Sequence, residues 1–145
     1  MNAPLIWIGL PFLTAVILWF LQKRRRLVVL LATGLSLALA GLAWSVPFEE
    51  LIILGPVSMR IEPELVLVGR SLFLGQADRP LLTFMYALAA FWFAGTVSAG
   101  AHRAMVPLGL AIISVLVAAM AVEPVLYAAL LIEGAVLLSI PMLLL

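Results

Sequence analysis

Few residues of this sequence are of types that could do chemistry, and the one that stands out is a carboxylate, Glu133. It lies inside the apolar stretch VEPVLYAALLIEGAVLLSIPMLLL, residues 122–145. Counted from Pro124, where a helix could begin, it is about 14 Å along the helix axis, near the middle of a hydrocarbon layer about 30 Å thick. Ionisable residues at that depth often mark ion or proton paths, although a protonated carboxyl could also serve as a hydrogen-bonding contact between helices.

The other candidates for chemistry are weaker. The single histidine, His102, could ligate a haem or pigment metal, but beside Arg103 at a helix end we favour an interfacial side chain. Glu62, Glu64 and Asp78 lack the close ligand spacing of a calcium loop, so no metal site is predicted. The absence of cysteine excludes disulfides, thiolate metal sites and cysteine nucleophiles. Because no nucleophile, base and orienting group occur together, neither enzymatic turnover nor a bound cofactor is predicted.

The composition is that of an integral membrane protein. Of the 145 residues, 66% are hydrophobic and 10% are charged, and the mean hydropathy is +1.29. Soluble domains carry about 25% charged residues, so a soluble catalytic domain is excluded. The net charge of +1 is too small and too scattered to indicate a nucleic-acid partner. The first apolar run has no basic region ahead of it, so it is predicted to be a retained span and not a signal peptide.

Four consecutive cations after the first apolar run give the orientation. Positive residues beside membrane spans stay on the cytoplasmic side, so this turn is predicted to be cytoplasmic and the N-terminus to lie outside. An arginine between the third and fourth apolar runs falls on the same side. The basic turn could also bind anionic lipid at that surface. The topology determinants are Lys23, Arg24, Arg25, Arg26 and Arg103.

Apolar runs of suitable length predict an all-α integral membrane protein with five transmembrane helices, its N-terminus outside and its C-terminus inside. The segment between the second and third helices, residues 47–79, must then lie outside. Its runs LIIL, VSMRI, ELVLV and SLFLG are separated by glycine and proline, which predicts short strands in a small extracytoplasmic β-hairpin-like loop. The single transmembrane domain comprises spans at residues 3–21, 27–46, 80–97, 104–122 and 124–145.

Several local features of the spans are also predicted. Trp7 and Trp19 lie near the two ends of the first span, where aromatic belts form at the membrane surface. Pro11 predicts a kink within that span. Gly34 and Gly41, seven residues apart, predict a seam of close helix packing on the second span. The aromatic residues of the third span do not keep to one face, which favours lipid and partner contacts; they are Phe84, Tyr86, Phe91, Trp92 and Phe93.

The stretch LYAALLIEGAVLLSIPMLL, together with the fourth span before it, resembles the N-terminal part of the antiporter-like membrane subunits of respiratory complex I and of Mrp-type cation/proton antiporters. Those subunits share an outward N-terminus, a basic turn after the first span and an extracytoplasmic hairpin after the second. Their fifth span carries a mid-membrane glutamate followed by an Ile-Pro pair. Glu133 and Ile140–Pro141 occupy those places here, and residues 69–71 and 78–82 resemble the lead into the third span.

This resemblance implies a membrane subunit similar to the N-terminal third of a proton-translocating NADH-quinone oxidoreductase chain, non-catalytic alone and embedded among other membrane subunits. It makes Glu133 a proton-relay candidate and Pro141 a helix break near it. In the family a lysine on a later helix pairs with the glutamate, whereas the only lysine here is Lys23, in the basic turn. Because the sequence ends in PMLLL without a polar cap, we expect a split or truncated subunit or a fragment.

An alternative remains open at this point. The chain could be an accessory scaffold subunit of another membrane complex, photosynthetic or respiratory, with no transport role and with Glu133 merely hydrogen-bonded. Both hypotheses give a multi-pass protein of the bacterial inner membrane whose partners are lipid and other membrane subunits. A small free-standing transporter is disfavoured, because the chain offers neither an internal repeat nor a second half.

Overall fold

The computed structural model describes residues 4–45, 51–54, 57–60, 64–67, 70–123 and 126–144. The described chain is mostly helical, and three of its helices (α2, α3 and α5 below) are long and apolar enough to span a membrane, while two apolar helices are shorter. The helices are a π-helical turn at Leu5–Gly9, α1 at Leu10–Phe20, α2 at Arg25–Ser45, a 3-10 turn at Gln76–Asp78, α3 at Arg79–Ser98, α4 at Met105–Ala121 and α5 at Leu126–Leu143.

Short strands form the end of the bundle opposite the basic turn, as the glycine and proline spacing predicts. The strands are β1 at Leu51–Leu54, β2 at Val57–Arg60, β3 at Glu64–Leu67, β4 at Arg70–Phe73 and β5 at Val122–Glu123. β1 and β2 make one antiparallel hairpin, and β3, β4 and β5 make a three-stranded sheet. The expected single hairpin is therefore two, and a strand from the α4–α5 connection pairs with β4, Leu72 opposite Val122. This pairing ties the start of α5 to the loop between α2 and α3.

α2 and α3 pack along each other in antiparallel directions, and an arginine at the start of each caps the end of the other. Arg25 Nη2 donates to the carbonyl of Thr96 at 2.8 Å. Arg79 Nε donates to the carbonyl of Ala43 at 2.8 Å, and its Nη2 donates to that of Trp44 at 2.7 Å. The last carbonyls of a helix lack their usual donor within it, and a cation also suits the negative end of the helix dipole. The carbonyl of Thr96 also accepts the N–H of Ala101 at 3.1 Å, so Arg25 is its second donor. The two arginines thus fix how far the two helices overlap.

A buried polar contact joins the π-helical turn to α2 and α3. Pro11 has no amide hydrogen to donate to the carbonyl of Trp7 four residues earlier, and the turn that contains Trp7 is π-helical, with Leu10 N donating to Leu5 O. The hydroxyl of Tyr86 donates to that carbonyl. The Trp7 indole Nε1 donates in turn to the carbonyl of Leu39 at 3.2 Å. Trp7 is 0% exposed, so the expectation that it belongs to an interfacial aromatic belt is wrong; its ring is buried because its N–H has a partner inside the bundle.

The core consists of two apolar clusters, one near each end of the bundle. Trp7, Leu39, Leu82, Tyr86 and Val117 belong to the cluster at the strand end. The cluster at the basic end is formed by residues of α1 to α4, including Leu18, Val28, Ala32, Phe93 and Leu110. α4 contributes to both clusters and packs against every other helix, so it is the central helix of the bundle.

The close approach of helices occurs at α4 and not at the glycines expected on α2. Gly34 and Gly41 are exposed, and nothing would lie within 4 Å of a methyl group at either, so the predicted seam is wrong. A methyl group at Gly109 would instead lie 2.4 Å from Trp92 Cζ3 and 3.2 Å from Phe93 Cε1. Phe93 is fully buried, so α3 can meet α4 here only because position 109 has no side chain.

Replacing Gly109 with alanine should lower the free energy of unfolding by about 1–3 kcal/mol, because the methyl group overlaps the Trp92 ring. Gly95→Ala is the matched control, since no heavy atom lies within 4 Å of a methyl group there and alanine favours a helix. Denaturant unfolding of both variants in detergent micelles measures the difference. Adding Trp92→Leu should recover part of the loss, and equal stability of the two glycine variants would contradict the packing described.

Removing the Tyr86 hydroxyl by Tyr86→Phe should cost about 1–3 kcal/mol, because the Trp7 carbonyl loses a donor in apolar surroundings. In a Pro11→Ala background an amide hydrogen is restored at position 11, so the same change should cost less. Unfolding measurements on the two single variants and the double variant test this coupling. An equal cost of Tyr86→Phe in both backgrounds would argue against it.

Candidate functional site

Glu133 lies in the middle of α5, seven residues after its first residue and ten before its last. Its side chain is exposed on the surface of the chain. None of the described residues donates a hydrogen bond to it or forms an ion pair with it. The Glu133 side chain therefore points away from the bundle that this chain forms.

α5 has one packed side and one open side. Ala135, at 4% exposure, is the one buried residue in its described part, and the contacts of α5 are mainly with α4. Glu133 precedes Ala135 by two residues, which places it about 200° around the helix on the opposite side. Large aliphatic side chains flank it at helical spacing on that side and are all exposed. We call this surface the α5 face; it comprises Leu126, Leu130, Glu133, Val136, Leu137 and Ile140.

The extent of burial separates α5 from the other two long apolar helices. Within the most apolar 18 residues, 6% are buried in α5, against 39% in α2 and 33% in α3. α4 is comparably apolar and lies at the centre of the bundle. Neither α4 nor α5 has a polar stripe. The sequence alone therefore does not indicate which of the two helices is central.

Pro141 does not break α5, which continues through it to Leu143. Its missing amide hydrogen removes one donor, to the carbonyl of Leu137, and the next bonds of the helix persist, with Leu144 N donating to Ile140 O at 3.2 Å. One lost bond near a helix end is tolerated, so the predicted helix break beside Glu133 is corrected to a proline within a continuous helix. The hydroxyl of Ser139 donates to the carbonyl of Val136 at 2.5 Å.

The expected topology determinants collect at one end of the bundle, which we call the basic end. Lys23 and Arg24 lie in the turn between α1 and α2, and Arg103 lies in the connection between α3 and α4. These three side chains and that of Arg26 are exposed, whereas Arg25 is half-buried because it caps α3. The chain's only lysine therefore stands in an end turn, on a different element from Glu133.

His102 is exposed in the same connection as Arg103. Its Nδ1 accepts a hydrogen bond from the backbone N–H of Ala104 at 3.2 Å, just before α4 begins. This contact engages one ring nitrogen in the turn and accounts for the residue locally. In the described part of the chain no group of three or more histidine, cysteine, aspartate and glutamate residues could hold a metal ion, and Glu62 lies outside that part.

The residues that make the polar contacts within the bundle were not predicted from the sequence. Tyr86 was predicted to make lipid and partner contacts with the other aromatic residues of the third span, and no role was predicted for Arg79. A signal for the first was available: a proline inside a span leaves a carbonyl that some neighbouring side chain must satisfy. Tyr86 and Phe93, seven residues apart and both fully buried, form the inner face of α3, whereas Phe84, Phe91 and Trp92 are exposed.

A scan of the chain against protein-family models, a search of curated proteins and a search of solved structures each find no match.

Proposed function

We propose that this chain is a non-catalytic membrane subunit that works inside a larger complex, in which the α5 face packs against another subunit and Glu133 takes part in proton relay. The proposal follows the resemblance to the N-terminal third of antiporter-like subunits of proton-translocating quinone oxidoreductases. The observation that carries it is the carboxylate at the centre of an open helix face. The bacterial inner membrane is the location that this proposal requires.

Leaving Glu133 against lipid costs free energy. An ionised carboxylate at mid-membrane costs about 2.5–3.5 kcal/mol on insertion scales, and a neutral carboxyl without a hydrogen bond is also unfavourable there. No described residue of the chain offsets that cost, because none bonds to the side chain. A partner that supplies a donor or a cation would offset it, so the carboxylate favours a covered face.

The rest of the α5 face is apolar. Leu130, Val136 and Leu137 surround Glu133 with aliphatic surface and are each more than half exposed. A helix of a neighbouring subunit can pack on such a surface at spacings of three and four residues. The face thus combines a broad apolar surface with one polar side chain, a combination that is usual where membrane helices pack.

Proton relay by Glu133 requires a second charged group. A carboxyl passes protons when the free energy of its ionised form changes during the cycle, and a nearby cation that approaches and withdraws produces that change. Lys23 stands in the turn at the basic end, so the cation has to come from the partner. The chain alone would then hold a relay group without its switch, which accounts for a subunit that is inactive by itself.

The second candidate is a scaffold subunit with no transport role. It is favoured by the purely aliphatic surroundings of Glu133, whose protonated carboxyl could act as a single hydrogen-bonding contact that sets the register of two helices. Both candidates use the same face. They differ in whether the carboxyl must lose its proton.

Two substitutions of Glu133 separate the candidates in the assembled complex. Glu133→Gln keeps the size and hydrogen bonding of the side chain but cannot ionise, so relay predicts that coupled proton movement falls at least about tenfold while the complex still forms. Glu133→Asp keeps an ionisable group and serves as the matched control with partial activity. Proton uptake into vesicles and co-purification of the partners in mild detergent are the two measurements.

Unchanged proton movement in the Gln variant of the intact complex would exclude the relay role. If Glu133→Leu then disrupted assembly while Glu133→Gln did not, the scaffold function would stand. If all three variants assembled and worked like the unmodified chain, neither function of Glu133 would hold.

A further inference from the structure

A second feature of the surface lies at the basic end, away from α5. A groove of about 310 Å³ runs between the first turns of α2 and the last turns of α3. From its first to its last α2 residue it covers eight positions, about 10 Å along the helix axis. Its lining is a cation at the end, a threonine at depth and aliphatic side chains between: Arg26, Val29, Leu30, Thr33, Ala94 and Val97.

The three arginines at the start of α2 have different surroundings. Arg25 is engaged by the carbonyl of Thr96, and Arg24 precedes the helix in the turn. Arg26 is exposed, lines the groove and has no hydrogen bond or ion pair to the described residues. It also stands at the positive end of the helix dipole, where a cation is unfavourable and an anion favourable. An anion at this point would be stabilised by both the guanidinium and the helix end.

A second polar group lines the groove without a partner. The hydroxyls of the other threonines each donate to a carbonyl of their own helix: Thr14 to Leu10, Thr83 to Arg79 and Thr96 to Phe93. The Oγ1 of Thr33 is buried and has no hydrogen-bond partner among the described residues. A buried hydroxyl without a partner is unfavourable. Thr33 lies about 10 Å along α2 from Arg26, so it marks the deep end of the groove and is not a contact of the headgroup.

We propose that the groove binds one phospholipid with an anionic headgroup. Its phosphate pairs with Arg26, and its glycerol ester region and the upper part of an acyl chain follow along Val29, Leu30 and Val97 toward Thr33. The order of groups along the groove, cation first and aliphatic surface below, matches the order in such a lipid. An exposed cation at the end of an aliphatic groove complements an anionic headgroup followed by an acyl chain, which favours a lipid over a partner subunit.

Binding can be measured on the purified full chain in neutral detergent by native mass spectrometry, with dioleoyl-phosphatidylglycerol and dioleoyl-phosphatidylcholine as probes. Arg26→Gln removes the cation in the groove, and Arg24→Gln is the matched control because it removes the same charge two residues away and outside the groove. Val97→Trp fills the groove without changing charge. Thermal unfolding of each variant checks that it is folded before lipid is added.

The proposal predicts tighter binding of the anionic lipid, a loss of about fivefold in Arg26→Gln, and a change of less than about twofold in Arg24→Gln. Val97→Trp should weaken both lipids. Equal losses in the two arginine variants would mean a diffuse electrostatic effect of the basic turn and would overturn the site. Equal affinity for both lipids, release of the bound lipid by inorganic phosphate, or unchanged lipid binding with altered oligomeric state in Val97→Trp would overturn it as well.

Discussion

The assembly of this bundle depends on backbone carbonyls that lack their usual helical donor. A carbonyl without a donor is costly in apolar surroundings, so donors from other helices matter. Pro11 removes one donor inside the first helical segment, and the Tyr86 hydroxyl replaces it across the bundle. Arg79 donates from α3 to carbonyls at the end of α2, and Arg25 is a second donor to the Thr96 carbonyl at the end of α3, which also accepts the N–H of Ala101. Each of these side-chain contacts links elements distant in sequence, so satisfying the backbone also fixes the arrangement of helices.

With those contacts made, the four helices α1 to α4 enclose two apolar clusters, and α4 occupies the centre. α5 is left on the outside, held by α4 through a side that includes Ala135 and at its start by the pairing of β5 with β4. α5 is thus a long apolar helix that is hardly buried by the rest of the described chain. Glu133 stands in the middle of that helix, on the exposed α5 face.

Much of the fold follows from the sequence because run length and hydropathy are set locally. The helices and the strands between α2 and α3 appear where apolar runs and glycine–proline spacing predict them. What could not be predicted is how the helices face one another. Trp7 and Gly34 were assigned by residue type to the wrong surroundings, since an aromatic ring or a glycine in an apolar run does not reveal which neighbour it meets. The position of Glu133 along α5 could be counted from the sequence. The direction of its side chain could not, because it depends on α4 being the central helix.

The central claim, that the α5 face is covered by another protein, is tested most directly by a photo-crosslinking amino acid placed at Leu137 in cells that express the full complex. Leu13 on α1 is the matched control, because its exposure of 63% is close to the 65% of Leu137. We predict a protein adduct of defined mass from position 137 and none of comparable yield from position 13. Adducts with lipid alone at position 137, or equal protein crosslinking at both positions, would contradict the account.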